Sequence, residues 1–127
     1  MEARVLIVED EALIALHLEQ LVIEAGHRVI GIAFDPEEAK AIISGERPDF
    51  ALIDMNLRNG ASGLDVARYL REECAVSAIF VSGNLDKGNI EAASRLRPVA
   101  LVGKPFIRAT VLNAIHLAVA SLAHSHG

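Results

Sequence analysis

Residues 50–63 read FALIDMNLRNGASG, an apolar run that ends on Asp54 and opens into a polar loop containing glycine. The run 50–53 is continuously apolar instead of alternating, as in a strand covered on both faces. Parallel sheets sandwiched between helices put their strands in that position. Four other runs of this kind occupy residues 5–8, 29–34, 78–81 and 99–102, so five strands are expected.

The segments between the strands have helical spacing. Over 11–25, Ile14, Leu18, Leu21 and Ala25 recur at three-to-four intervals as an inward stripe, and Gly26 supplies a stop. Asp35-Pro36-Glu37-Glu38 sets a capping acid, a first-turn proline and two more acids at the positive end of a helix dipole. This predicts a second helix reaching Gly45, which Arg47-Pro48-Asp49 breaks. A third helix is expected from Ser62 with Leu64, Ala67 and Leu70 inward, and a fourth over 89–96, closed by Pro98. A fifth follows Pro105, carrying Val111, Leu112, Ile115, Val119 and Leu122, so that one domain over 1–122 gives way to a polar tail, 123–127. Strands and helices alternating in this way make a doubly wound α/β domain, and right-handed crossovers favour the flavodoxin-like strand order 2-1-3-4-5.

Composition agrees with a single globular domain: 127 residues, 52% hydrophobic and 23% charged. A formal charge of −5 with no basic stripe argues against binding a nucleic-acid backbone, so any partner is expected to be a protein. The single cysteine, Cys74, excludes an internal disulfide and reads as a packing or surface residue. Charged residues interrupt every apolar run well short of the ~18 residues of a membrane span, and RVLIVED carries acids where a signal peptide stays apolar. A cytoplasmic protein without membrane contact is the expectation.

In a sheet of this order, functional groups gather at the carboxyl ends of the strands, beside the point where strand order reverses. There the sequence places Glu9-Asp10 after the first strand, Asp54 after the third, Ser82 after the fourth and Lys104-Pro105 after the fifth. Three carboxylates at such spacing would repel by roughly 4 kcal/mol per pair at ~4 Å and an effective dielectric of ~20, so cations must sit among them. Oxygen donors without histidine or cysteine suit Mg²⁺, or Mn²⁺, which also meets phosphate well. A carboxylate nucleophile, a divalent ion, a lysine and a small hydroxyl are the parts phosphoryl transfer needs, and Asp54 is the best-placed nucleophile. The Asn56 backbone carbonyl is a further candidate metal ligand.

The segments LIVEDE, ALIDMNL, IFVSG and GKPF, in that order and over nearly the whole chain, resemble the receiver domain of two-component response regulators. That resemblance implies a phosphorylated Asp54, Asp10 as direct Mg²⁺ ligand, Glu9 meeting the metal through water, and Asn56 as carbonyl ligand. It also implies Ser82 as the switch hydroxyl, Lys104 as partner of the phosphoryl group, and a cis peptide before Pro105. The donor would be the phosphohistidine of a sensor kinase or histidine phosphotransfer protein. The receiver would catalyse its own phosphorylation and autodephosphorylation, without being an enzyme for an external substrate. On this reading the protein is a stand-alone regulator that signals by contact with a downstream protein, or serves as a phosphate sink or shuttle.

Several positions depart from the family pattern. Glu9 stands for the commoner Asp, the loop after Asp54 lacks the usual Met-Pro pair, and Gly83 stands where Ala is usual. Leu101 occupies the position of the aromatic that swings inward on activation, so the readout is expected to lie in the loop and helix after Ser82. Lacking the aromatic and carrying SGN and GKPF, the chain resembles alphaproteobacterial single-domain receivers that work with kinases of the HWE and related families. Each acid alone would read as a helix cap, Asp10 included; their convergence outweighs that reading. The five histidines, His17, His27, His116, His124 and His126, read as surface residues. Leu13 and Leu16, beyond what one buried stripe needs, suit either neighbouring contacts or a docking face, and the apolar last helix would support a homodimer. Two rivals remain: a haloacid-dehalogenase-like phosphatase, disfavoured because Asn56 cannot act as general acid, and a receiver-like scaffold that binds without phosphate.

Overall fold

The computed structural model describes residues 1–125. Its elements are β1 (Arg4–Val8), α1 (Ala12–Glu24), β2 (Arg28–Ala33), α2 (Pro36–Gly45), β3 (Phe50–Asp54), α3 (Gly63–Cys74), β4 (Ser77–Ser82), α4 (Lys87–Ser94), β5 (Ala100–Gly103) and α5 (Arg108–Ser125), with a short 3₁₀ turn at Arg58–Gly60. The strands pair in parallel in the order β2-β1-β3-β4-β5, the expected flavodoxin-like topology.

Alternation along each strand sends neighbouring side chains into two cores. Phe50 and Leu52 join Leu18, Leu21 and Val22 of α1 and Val111, Ala114 and Ile115 of α5 on one face. Ala51 and Ile53 join Ala39 and Ile43 of α2, Val66, Ala67 and Leu70 of α3, and Ala93 of α4 on the other. Phe50 and Phe80 are fully buried, and each such side chain contributes roughly 1.5–3 kcal/mol by leaving water. Among the described residues no helix is long and apolar enough to cross a membrane.

Several local expectations shift. Ala25 is exposed, and the buried stripe of α1 runs through Ala15, Leu18, Leu21 and Val22, because Ala25 follows the last helical turn and leads into Gly26 at φ +92°. α4 starts at Lys87, two residues earlier than expected, because Asp86 caps it by accepting from the Asn89 N–H at 2.8 Å. α5 extends to Ser125, into the segment expected as a tail, of which residues 126–127 lie outside the described residues. His27 is half-buried and its Nδ1 accepts from the Ala3 N–H at 3.1 Å, which corrects its reading as a surface residue. His124 has no described side chain, and His126 lies outside the described residues. Cys74 is half-buried against the α2–α3–α4 core.

At the amino end of the sheet one pair fixes how β3 enters beside β1. Asp49 Oδ2 accepts from the Arg4 backbone N–H at 2.7 Å and from Nε at 3.3 Å, Oδ1 accepts from Nη2 at 3.1 Å, and the Asp49 N–H donates to the Arg4 carbonyl at 2.7 Å. Burial would raise the Asp49 carboxyl, but the hydrogen bonds and charge of Arg4 outweigh it and hold the pKa below its ordinary 3.8. A carboxyl whose folded pKa is depressed contributes its full stabilisation above the unfolded pKa, and loses it as pH falls through the folded one. Asp49→Asn is therefore expected to cost about 1–3 kcal/mol near neutral pH in urea unfolding, with the gap to wild type narrowing below about pH 4. A gap independent of pH would remove the ionised pair as its cause.

Candidate functional site

β1, β3 and β5 deliver their ends to one edge. β1 finishes at Val8, so Glu9 lies at the top of the sheet, fully buried, with its N–H donating to the Ala33 carbonyl at 2.9 Å. Asp54, the last residue of β3, is 6% exposed. Lys104, just beyond β5, donates from its backbone N–H to the Ser82 carbonyl at 2.9 Å, and its peptide bond to Pro105 is cis, as the resemblance implies.

The Lys104 ammonium lies between two of the carboxylates, 2.7 Å from Glu9 Oε1 and 3.1 Å from Asp54 Oδ2. Burial works to depress the ammonium, but its two acidic partners outweigh that and raise its pKa above 10.5. Burial pushes the Glu9 carboxyl above its usual range and the Asp54 charge adds to this, while Lys104 and the Glu11 N–H, at 3.1 Å from Oε2, work the other way. Asp10 faces the same space: carboxylate oxygens of Glu9, Asp10 and Asp54 all lie within 4.8 Å of one another. Asp10 does not cap α1, whose first capping position is Glu11; its Oδ2 accepts from the Arg58 backbone N–H instead.

Asn56 links this cluster to Ser82. Its N–H donates to Asp54 Oδ1 at 3.0 Å, and its side-chain Nδ2 donates to Ser82 Oγ at 3.3 Å. The buried Ser82 hydroxyl turns toward the β4–α4 loop, accepting from the Asn84 N–H at 3.2 Å and donating to the Asn84 carbonyl at 3.4 Å. Asn89 Nδ2 then donates to that same carbonyl at 2.8 Å, carrying the chain into the first turn of α4. The geometry brings Glu9, Asp10, Asp54 and Lys104 together directly and Ser82 through Asn56. Asn84, the Asn56 side chain and Gly63 take part without having been singled out in the sequence. A polar side chain in a loop carries no periodic signal, but the first-turn position of Gly63 after the capping Ser62 was legible.

The donor set suits a hard divalent cation. Glu9 Oε1 is buried, with the Lys104 ammonium 2.7 Å away as its charge partner, and a carboxylate oxygen so placed keeps a second lone pair for another donor. A metal-bound water would satisfy it, and Asp10 and Asp54 supply carboxylate oxygens beside it. The phosphatase alternative finds no support: Asp54 ends the third strand, and the Asn56 side chain is engaged with Ser82.

Comparison with known proteins agrees with this arrangement. The family model of the response regulator receiver domain matches residues 5–116. The phyllosphere-induced regulator PhyR of Methylorubrum extorquens is 40% identical over 112 residues, which cover 87% of this chain and 41% of that protein. The crystal structure of the response regulator PhyR from Brucella abortus superposes with a TM-score of 0.85 at 32% identity, covering 99% of this chain and 51% of that one. The signal receiver domain of a modulated diguanylate cyclase from Desulfovibrio desulfuricans gives 0.88 at 30% identity, covering 98% and 99%. The chain thus spans about half or less of the two PhyR proteins.

Beneath Asp54, Gly63 opens α3 with its N–H donating to the Met55 carbonyl at 3.0 Å. A Cβ at this position would lie 1.9 Å from the Asp54 carbonyl oxygen and 2.7 Å from Ile53 Cγ2. Gly63→Ala is expected to destabilise the domain by about 1–3 kcal/mol in urea unfolding and to shift the amide resonances of residues 54–57. Stability equal to wild type would mean that α3 is not wedged against the end of β3.

Proposed function

The chain belongs to the response regulator receiver family, and on that premise we propose that Asp54 accepts a phosphoryl group from the phosphohistidine of a sensor kinase or histidine phosphotransfer protein. The observation that carries this reading is the Asp54 carboxylate at the end of β3, 3.1 Å from the Lys104 ammonium and grouped with Glu9 and Asp10. One Asp54 oxygen attacks phosphorus; the P–O bond forms as the P–N bond breaks, and the electron pair returns to the imidazole, leaving an acyl phosphate. Asp10, Asp54, the Asn56 carbonyl and, through water, Glu9 would hold Mg²⁺ or Mn²⁺, which when bound would supply positive charge to the phosphoryl oxygens. Lys104 is already charged and positioned, so it neutralises the arriving group with little reorganisation. The same residues serve autodephosphorylation.

The output is read from the loop after Ser82. To donate to a phosphoryl oxygen, the Ser82 hydroxyl must release the Asn84 carbonyl, which loosens the hydrogen-bonded chain to Asn89. Leu101 is a half-buried core side chain and offers no aromatic rotor. Contact with a kinase or phosphotransfer helix bundle is supported by Leu13 and Leu16 on α1, 84% and 56% exposed. Signalling then proceeds by contact with a downstream protein, or the acyl phosphate passes onward in a sink or shuttle role.

Incubation with Mg²⁺ and acetyl phosphate is expected to add the mass of one phosphoryl group to the wild type and none to Asp54→Asn. A wild type that gains nothing across several donors, phosphohistidine proteins included, would overturn the assignment. Beryllofluoride with Mg²⁺ is expected to move the amide resonances of residues 83–89 more than those around Leu101; unmoved resonances at 83–89 would refute the loop readout.

A further inference from the structure

Arg58 opens the 3₁₀ turn of the β3–α3 loop and lies beside the acidic cluster. Lys104 makes its close contacts with Glu9 Oε1 and Asp54 Oδ2, at 2.7 and 3.1 Å. Among the described residues, the ion pair recorded for Asp10 is with Arg58, whose Nε lies 3.7 Å from Oδ2. The Arg58 backbone N–H donates to the same oxygen, so the residue approaches Asp10 through both main chain and side chain. The two are 48 positions apart in sequence, and the contact ties the 3₁₀ turn of the β3–α3 loop to the end of β1.

We propose that Arg58 is an internal cation that neutralises the Asp10 side of the cluster in the metal-free protein and opposes entry of the divalent ion, which must displace its guanidinium. The inference rests on the reading of Glu9, Asp10 and Asp54 as a metal site. A guanidinium and a divalent ion that share one carboxylate oxygen repel each other and compete for the same lone pairs. The Asp10 side chain is 8% exposed and held by the Arg58 N–H, whereas the Arg58 side chain is 73% exposed. The guanidinium is therefore the mobile member of the pair. It borders an open cleft lined also by Phe34 and Asp35, into which it can withdraw toward another acid. Its exposure bounds the effect, because an exposed charge contact modulates an equilibrium several-fold and does not abolish it.

The test is the affinity of the unphosphorylated protein for Mn²⁺, read as free ion by electron paramagnetic resonance, with Mg²⁺ measured by competition. Arg58→Gln is expected to bind both ions roughly two- to fivefold more tightly than wild type, the size of one exposed charge contact. Arg58→Lys keeps the charge and is expected to stay closer to wild type than to the glutamine variant. An Arg58→Gln affinity that is unchanged or weaker, or an Arg58→Lys affinity equal to that of the glutamine variant, would overturn the proposal. Wild type that binds neither ion would instead refute the metal site, and this inference with it. Thermal unfolding without metal, followed for all three proteins, separates a folding defect from an altered site.

Discussion

One ammonium group holds the upper edge of this domain together. Among the described residues, Lys104 is the cation placed between Glu9 and Asp54, two carboxylates taken almost wholly out of water. Without it, the ends of β1 and β3 would carry like charges within 4.8 Å of each other and largely out of water, an arrangement that costs several kcal/mol in a medium of reduced dielectric. β5 therefore does more than close the sheet: its end carries the charge that lets the other two strands finish in acid. The pairing of Ser82 with Gly103, and the Lys104 N–H on the Ser82 carbonyl, fix where that ammonium can reach.

The loop after Asp54 is the second constraint. It folds back on itself through the bridge between Asn56 and Ser62 and the bond from the Leu57 N–H to the Ala61 carbonyl, at 3.1 Å. Gly63 then brings α3 hard against the backbone of Asp54, so the carboxylate is presented by a turn with little freedom to retreat. The tight return also aims the Asn56 amide at Ser82 and the Arg58 N–H at Asp10. One short segment thus distributes contacts to three other elements, and the site is a property of the loop as much as of the strand that precedes it.

This division explains what could be read in advance. Continuous apolar runs that end in acid, hydroxyl or lysine are local patterns, and with the parallel topology they place Glu9, Asp10, Asp54, Ser82 and Lys104 at one edge. The Asp35 cap of α2 and the Ser62 cap of α3 are equally local. The Arg58 contact with Asp10 and the Nδ1 bond of His27 to Ala3 are not, because each joins residues more than twenty positions apart with no periodicity between them. α4 was misplaced for a different reason: Asp86 caps it ahead of Lys87-Gly88, a pair that reads as loop in isolation, and the cap overrides the poor helix propensity of the glycine.

The same distinction bears on how a change at Asp54 would travel. A rotating aromatic needs a polar head and two accommodating environments; Leu101 has neither, pairing with Phe80 across β4–β5 and packing into the α2–α3–α4 core. Moving it would give up apolar contact for no compensating bond. The loop between Ser82 and Asp86 lies at the opposite extreme. Its ties to the site are the Ser82 hydroxyl, the Asn84 main chain and the Asn89 amide, hydrogen bonds each worth about 1 kcal/mol net in folding, with the partly buried Leu85 as its apolar anchor. Gly83 adds backbone freedom, with nothing within 4 Å of where its side chain would begin. A segment held by exchangeable hydrogen bonds can answer the loss of one hydroxyl partner, whereas an apolar side chain on a paired strand has no such bond to exchange.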